Sequence, residues 1–154
     1  MAELGHTIAG QLRAGDLVLL NGELGAGKTT LTRGIGEQLG VRGAVTSPTF
    51  VLARTHLREA GAPPLVHVDA YRLGHALELD DLDIDYAASI VVVEWGAGLL
   101  DGVSESWLNL DIERPHGGDA ESEAEPRTVT ITGHGPRWQQ LEWLKEGELR
   151  VARD

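Results

Sequence analysis

Gly22-Glu23-Leu24-Gly25-Ala26-Gly27-Lys28-Thr29 is the stretch whose reading decides the fold. It fills every position of the pattern G-x-x-x-x-G-K-[ST]. In that pattern successive backbone N–H groups form an anion nest, and the helix that follows adds its positive end. Gly22, Gly25 and Gly27 allow a phosphate to approach where a Cβ would obstruct it. Lys28 is placed to reach the outer phosphates, the Thr29 hydroxyl to ligate magnesium, and Thr30 to add a further phosphate contact. The flanks agree. The apolar run Leu17-Val18-Leu19-Leu20 predicts a strand feeding the loop, and Leu31, Ile35 and Leu39 predict a helix over 29–39 with Gly40 as its C-terminal cap. Lys28 is one of two lysines in the chain, the other being Lys145.

Working outward, Leu4, Ile8 and Leu12 fall at helical spacing, and Ala14-Gly15-Asp16 supplies a stop. Downstream, 50–57 and 65–69 read as strands around a Gly- and Pro-bearing turn, which predicts a hairpin. Short helical turns are expected over 74–88. Ile90-Val91-Val92-Val93-Glu94 is a continuous apolar run of the kind buried on both faces of a sheet. Strands are expected over 107–113 and 128–132, separated by the acidic connector 114–126, which is expected to be mobile. Trp138, Leu141 and Leu144 suggest a short final helix before a charged tail. The sum is one domain over 1–154, an α/β P-loop fold of three layers whose central sheet is largely parallel and carries an antiparallel hairpin.

Composition sets the limits. A chain of 154 residues, 42% hydrophobic, can build one core without staples. Cysteine is absent, which removes disulfides, thiolate catalysis and Cys-ligated zinc, and suits a reducing cytoplasm. No apolar run approaches the length of a membrane span. The formal net charge of -11 opposes direct binding to a phosphodiester backbone, so any link to RNA is expected to run through a partner.

Two more predicted strands end in carboxylates, Asp69 and Glu94. In an open α/β sheet ligands lie beyond the carboxyl ends of parallel strands, so acids there can serve metal or an attacking water. An acid at a strand end also serves solubility or capping, and it is the neighbouring loop that favours the functional reading. Thr46-Ser47-Pro48-Thr49 is either an ordinary turn or a γ-phosphate switch. His67 reads as a satisfied strand residue, since no other histidine stands at ligand spacing. Tyr71 and Arg72 form a contact surface, or Arg72 simply pairs with an acid.

Taken in order, GELGAGKTT, TSPTF, HVDAYRL and VVVEWG resemble the TsaE (YjeE) family of bacterial P-loop ATPases. The likeness runs from about Leu4 to Gly98. It implies a part in making threonylcarbamoyladenosine beside the anticodon of tRNAs, as an ATP-hydrolysing accessory that acts with the TsaD–TsaB complex and meets tRNA only through it. It further implies ATP and Mg2+ as cofactors, with the loop residues Glu23, Leu24, Gly25, Ala26, Gly27, Lys28, Thr29 and Thr30 on the nucleotide. Thr46 and Thr49 would belong to the switch, and Asp69 and Glu94 would share magnesium and water positioning with Lys28. Tyr71, Arg72 and Trp95 match positions that are structural or partner-facing. The family carries a leading segment, with a threonine about three residues before the pair matched by Leu4-Gly5, where this sequence has Met1; either the start is internal to the natural gene or the base contacts of that segment are missing. Two other readings stay open: a small P-loop kinase, although no arginine-rich lid follows the central strands, and a non-hydrolysing nucleotide sensor. A GTPase is disfavoured by the absence of an Asn-Lys-x-Asp motif.

Overall fold

The computed structural model describes residues 2–22, 27–43, 53–69, 84–94, 104–113, 128–139 and 149–153. In chain order these form α1 (Ala2–Ala9), β1 (Leu17–Gly22), α2 (Lys28–Leu39), β2 (Ala53–His56), β3 (Leu65–Asp69), β4 (Ile90–Glu94), β5 (Trp107–Glu113), β6 (Thr128–His134), a 3-10 turn over Pro136–Trp138, and β7 (Leu149–Arg153). The seven strands make one sheet in the order β2-β3-β4-β1-β5-β6-β7. Its centre is parallel: β3 with β4, β4 with β1, and β1 with β5. The antiparallel pairs are β2 with β3, which is the expected hairpin, and β5 with β6.

Strand side chains alternate between faces, so register determines which residues share one. Leu65, Ile90, Val92, Val18, Leu20, Leu108 and Leu110 lie on the face covered by Ile8 of α1 and by Leu31 and Ile35 of α2. The opposite face gathers Leu17, Leu19, Val66, Val68, Val91 and Val93, with Ile84, Tyr86 and Trp107 packed against them. The runs in β1, β3 and β4 are therefore continuous because both of their faces are buried. β5 and β6 instead alternate buried with half-buried positions.

The elements depart from the sequence reading in several places, and β6 runs on to His134, past the expected 132. α1 stops at Ala9 rather than continuing to Leu12, because the chain tightens into three-residue turns, Gln11 N–H to the Ile8 carbonyl and Leu12 N–H to the Ala9 carbonyl. At the other end, Leu149–Arg153 is a strand parallel to β6, not a charged tail. Of the suggested final helix, the described part is the single 3-10 turn ending at Trp138, whose indole is buried. The connector 114–126 and most of 74–88 lie outside the described residues.

Candidate active site

β1, β4 and β3 run in one direction and in register, so their carboxyl ends meet along one edge. Asp69 is opposite Glu94, and Glu94 is opposite Leu20. These residues share the face on which α2 lies. Two residues past Leu20, at Gly22, β1 ends and the glycine loop begins. Both acids thus stand in the row beside the point where the chain leaves the sheet.

Gly27 enters α2 at φ 114°, a left-handed conformation that glycine adopts without the clash a Cβ would bring. It gives α2 no side-chain cap, so the helix start presents backbone N–H groups and no side-chain acceptor from that position. Lys28 follows at once and is only 5% exposed. Its ammonium donates to the Gly22 carbonyl at 2.7 Å, tying the two ends of the loop together. The buried Thr32 hydroxyl donates to the Lys28 carbonyl at 2.9 Å and fixes the first helical turn. Burial lowers the Lys28 pKa below its ordinary value, while the nearby carboxylates of Glu94 and Asp69 oppose that shift. One cation and two acids are therefore in electrostatic contact at the mouth of the loop.

Glu94 has a second partner that the sequence reading did not assign. The ring of His67, fully buried in the middle of β3, lies with Nε2 2.8 Å from Glu94 Oε2. A carboxylate only accepts, so Nε2–H is the donor. His67 is thus satisfied, as expected of a strand residue, but by a site acid. The signal was available: the runs at 65–69 and 90–94 have equal length and each ends in an acid, and aligning them puts His67 one diagonal step from Glu94. Buried on the same sheet face is His56, whose pKa is lowered by burial first and then by His67 and Arg54.

Of the residues singled out in the sequence, Lys28 lies in the field of Glu94 and Asp69, and Thr29 and Thr30 occupy the first turn of α2, half-buried and exposed respectively. Glu23, Leu24, Gly25, Ala26, Thr46, Thr49, Tyr71, Arg72 and Trp95 lie outside the described residues. Among the described residues no three His, Asp or Glu side chains gather as a metal cage. The Thr29 hydroxyl and the Asp69 and Glu94 carboxylates are hard oxygen donors of the kind a magnesium ion takes. No helix among the described residues is long and apolar enough to cross a membrane.

Comparison with known proteins gives a consistent result. Residues 1–122 match the family model described as threonylcarbamoyl adenosine biosynthesis protein TsaE. The chain is 60% identical over 141 residues to the tRNA threonylcarbamoyladenosine biosynthesis protein TsaE of Streptomyces coelicolor, covering 90% of this chain and 93% of that one. The protein of the same name from Bacillus subtilis is 36% identical over 132 residues, 84% of this chain and 77% of its own. Among solved structures, the crystal structure of Bacillus subtilis YdiB superposes with a TM-score of 0.59 at 32% identity, covering 77% of this chain and 72% of that one.

Proposed function

The chain belongs to the TsaE family, and from that premise we propose that it serves tRNA threonylcarbamoyladenosine biosynthesis as an ATP-binding and ATP-hydrolysing accessory of a TsaD–TsaB complex. The observation that carries the hydrolase reading is the junction of Lys28 with Asp69 and Glu94: a buried ammonium held on the Gly22 carbonyl, in the field of two carboxylates that end neighbouring strands. Pure phosphate binding calls for the loop and the lysine. Acids aimed at the same place serve hydrolysis, which also needs a metal ligand and a group that orients water.

In this reading the Lys28 ammonium exchanges the Gly22 carbonyl for phosphate oxygen, and the N–H groups at the start of α2 turn toward the same anion. Thr29 and one of Asp69 and Glu94 hold Mg2+, which when bound neutralises charge on the phosphates. The other carboxylate orients the water. Burial of Lys28 is useful here, because a charge interaction strengthens as water is excluded.

The test is steady-state phosphate release from magnesium ATP, with purified TsaD and TsaB from the same organism present and absent. Release above background with the partners supports the reading. Nucleotide binding without any release under those conditions would replace it with a sensor, and phosphate appearing on a small acceptor instead of in solution would replace it with a kinase.

A further inference from the structure

We infer that His67 is the positioning residue of Glu94: it commits Oε2 and so holds the carboxylate with Oε1 available to the phosphate site. This rests on the hydrolase reading above. The geometry is specific. His67 faces Val92 directly across the β3–β4 ladder and reaches Glu94 on the diagonal, at 2.8 Å, with the ring 0% and the carboxylate 6% exposed. Among the described residues Glu94 has no other hydrogen bond, and the bond it has is on Oε2 alone.

Packing does not explain a histidine at this position. Its neighbours on the same face include Leu65, Ile90 and Val92, all 0% exposed, and a β-branched residue would fill the row without burying a polar ring. Burying imidazole among such residues is costly unless its nitrogens are bonded. Nδ1 has no hydrogen-bond partner among the described residues, so the one bond to Glu94 must compensate for the whole ring. The bond also restricts Glu94. An unrestrained glutamate end has several rotamers, and a side chain that must meet phosphate-bound metal or water gains from being held in one before the ligand arrives.

The experiment compares wild type, His67→Gln, His67→Phe and Glu94→Gln. Glutamine can place an N–H donor where Nε2 stands, whereas phenylalanine keeps the ring volume and removes the donor. With TsaD and TsaB present, His67→Phe is expected to lower kcat by about 10-fold or more, the scale of supporting-residue effects, with KM for ATP nearly unchanged. His67→Gln should restore most of the turnover. The second readout needs no activity. In the 15N-imidazole spectrum of the free protein, the signals absent from His67→Phe should show an Nε2–H form with a strongly deshielded proton, and Glu94→Gln should move that proton upfield.

Wild-type kcat in His67→Phe beside a disabled Glu94→Gln overturns the positioning role and leaves the hydrolase reading intact. Equal loss in the Phe and Gln variants assigns His67 to packing and likewise overturns it. A wild type silent with its partners overturns the hydrolase reading and the kinetic role with it, while the spectrum still decides the pairing. Should His67→Phe fail to fold, His67→Gln identifies the His67 signals by their absence, and an Nε2 proton that Glu94→Gln does not move overturns the pairing.

Discussion

Glu94 and Glu113 each close a strand that is parallel to β1, and they have opposite surroundings. Glu94 ends β4, every residue of which is buried; it is 5% exposed, bonded to His67 and in the field of Lys28. Glu113 ends β5, whose burial alternates, and it is exposed. The contrast extends to the two halves of the sheet. On the β3-β4-β1 side both faces are covered; Lys28, His67 and Glu94 are buried at or beside the carboxyl edge, while Asp16, His56 and Ser89 are buried at the amino ends of the parallel strands. On the β5-β6 side the polar groups line the half-buried face and bond to one another: Asn21 Nδ2–H to Asn109 Oδ1 at 2.9 Å, and Asn109 Nδ2–H to Asp111 Oδ2 at 3.1 Å. A terminal acid thus takes its character from the strand that delivers it. Only after a run buried on both faces is the carboxylate held out of water, where it interacts strongly with a neighbouring charge.

The sharpest way to break this contrast is to neutralise the acids one at a time. Asp69→Asn and Glu94→Gln are expected to keep the fold and measurable nucleotide affinity, and to lose at least about 10²-fold in partner-stimulated phosphate release. Glu113→Gln should leave that rate unchanged. Equal rates in all of them would mean that burial at the strand end has no catalytic consequence.

Next in size is the lysine. Lys28→Ala should weaken magnesium ATP binding by about 10- to 150-fold, the worth of hydrogen bonds to a charged group, about 1.5–3 kcal/mol, measured by calorimetry. Unchanged affinity in a folded variant would remove Lys28 from the site.

A matching perturbation on the other side of the sheet should affect stability instead. A Cβ on Gly133 of β6 would lie 2.3 Å from the Trp138 carbonyl oxygen, where the 3-10 turn folds back over the strand. Gly133→Ala is expected to cost about 1–3 kcal/mol in denaturant unfolding, the usual penalty of overpacking, with nucleotide affinity unaltered. Loss of affinity in that variant would show that the two halves are coupled.

The smallest expected effect is in the pH dependence. His56 has a folded-state pKa below its ordinary value, chiefly through burial, so between the two values the unfolded chain binds more protons than the folded one. Its contribution is therefore fully present above the ordinary histidine value and is lost as pH falls through the folded one. His56→Gln should flatten the fall in melting temperature on acidification below neutrality, and an unaltered slope would remove His56 from that behaviour.

The parts of this molecule legible in its sequence are those where a local pattern and a tertiary demand coincide. β3, β4 and β5 occupy the residues expected of them, since an apolar or alternating run bounded by turn residues has few other uses. α2 begins at Lys28, one residue before its expected start, because the lysine of the loop also opens the helix. Illegible parts depend on partners distant in the chain. β7 is five residues, Leu-Arg-Val-Ala-Arg, whose charge concealed a period of two and whose strand character comes from pairing with β6. β2, by contrast, falls inside the run expected over 50–57, and its hairpin with β3 was legible from the Gly- and Pro-bearing turn between them, although Arg54 and Thr55 are exposed. In the candidate site, the strand ends at Asp69 and Glu94 and the helix start at Lys28 were readable because each belongs to a short motif. The His67–Glu94 bond joins residues 27 apart, and it emerges only when two strands are laid side by side in register.

The parallel seam between β6 and β7 bears on how the protein behaves as a colloid. β7 is the outermost strand on its side of the sheet, aligned from Val129 opposite Leu149 to Gly133 opposite Arg153. Removal of 149–153 would pass the edge of the sheet to β6 and free the N–H and C=O groups it now pairs with β7, a template for another chain. The net charge of -11 opposes such encounters by repulsion at low ionic strength, and salt screens it. A chain lacking 149–153 should therefore stay dispersed in dilute buffer and self-associate as salt is added.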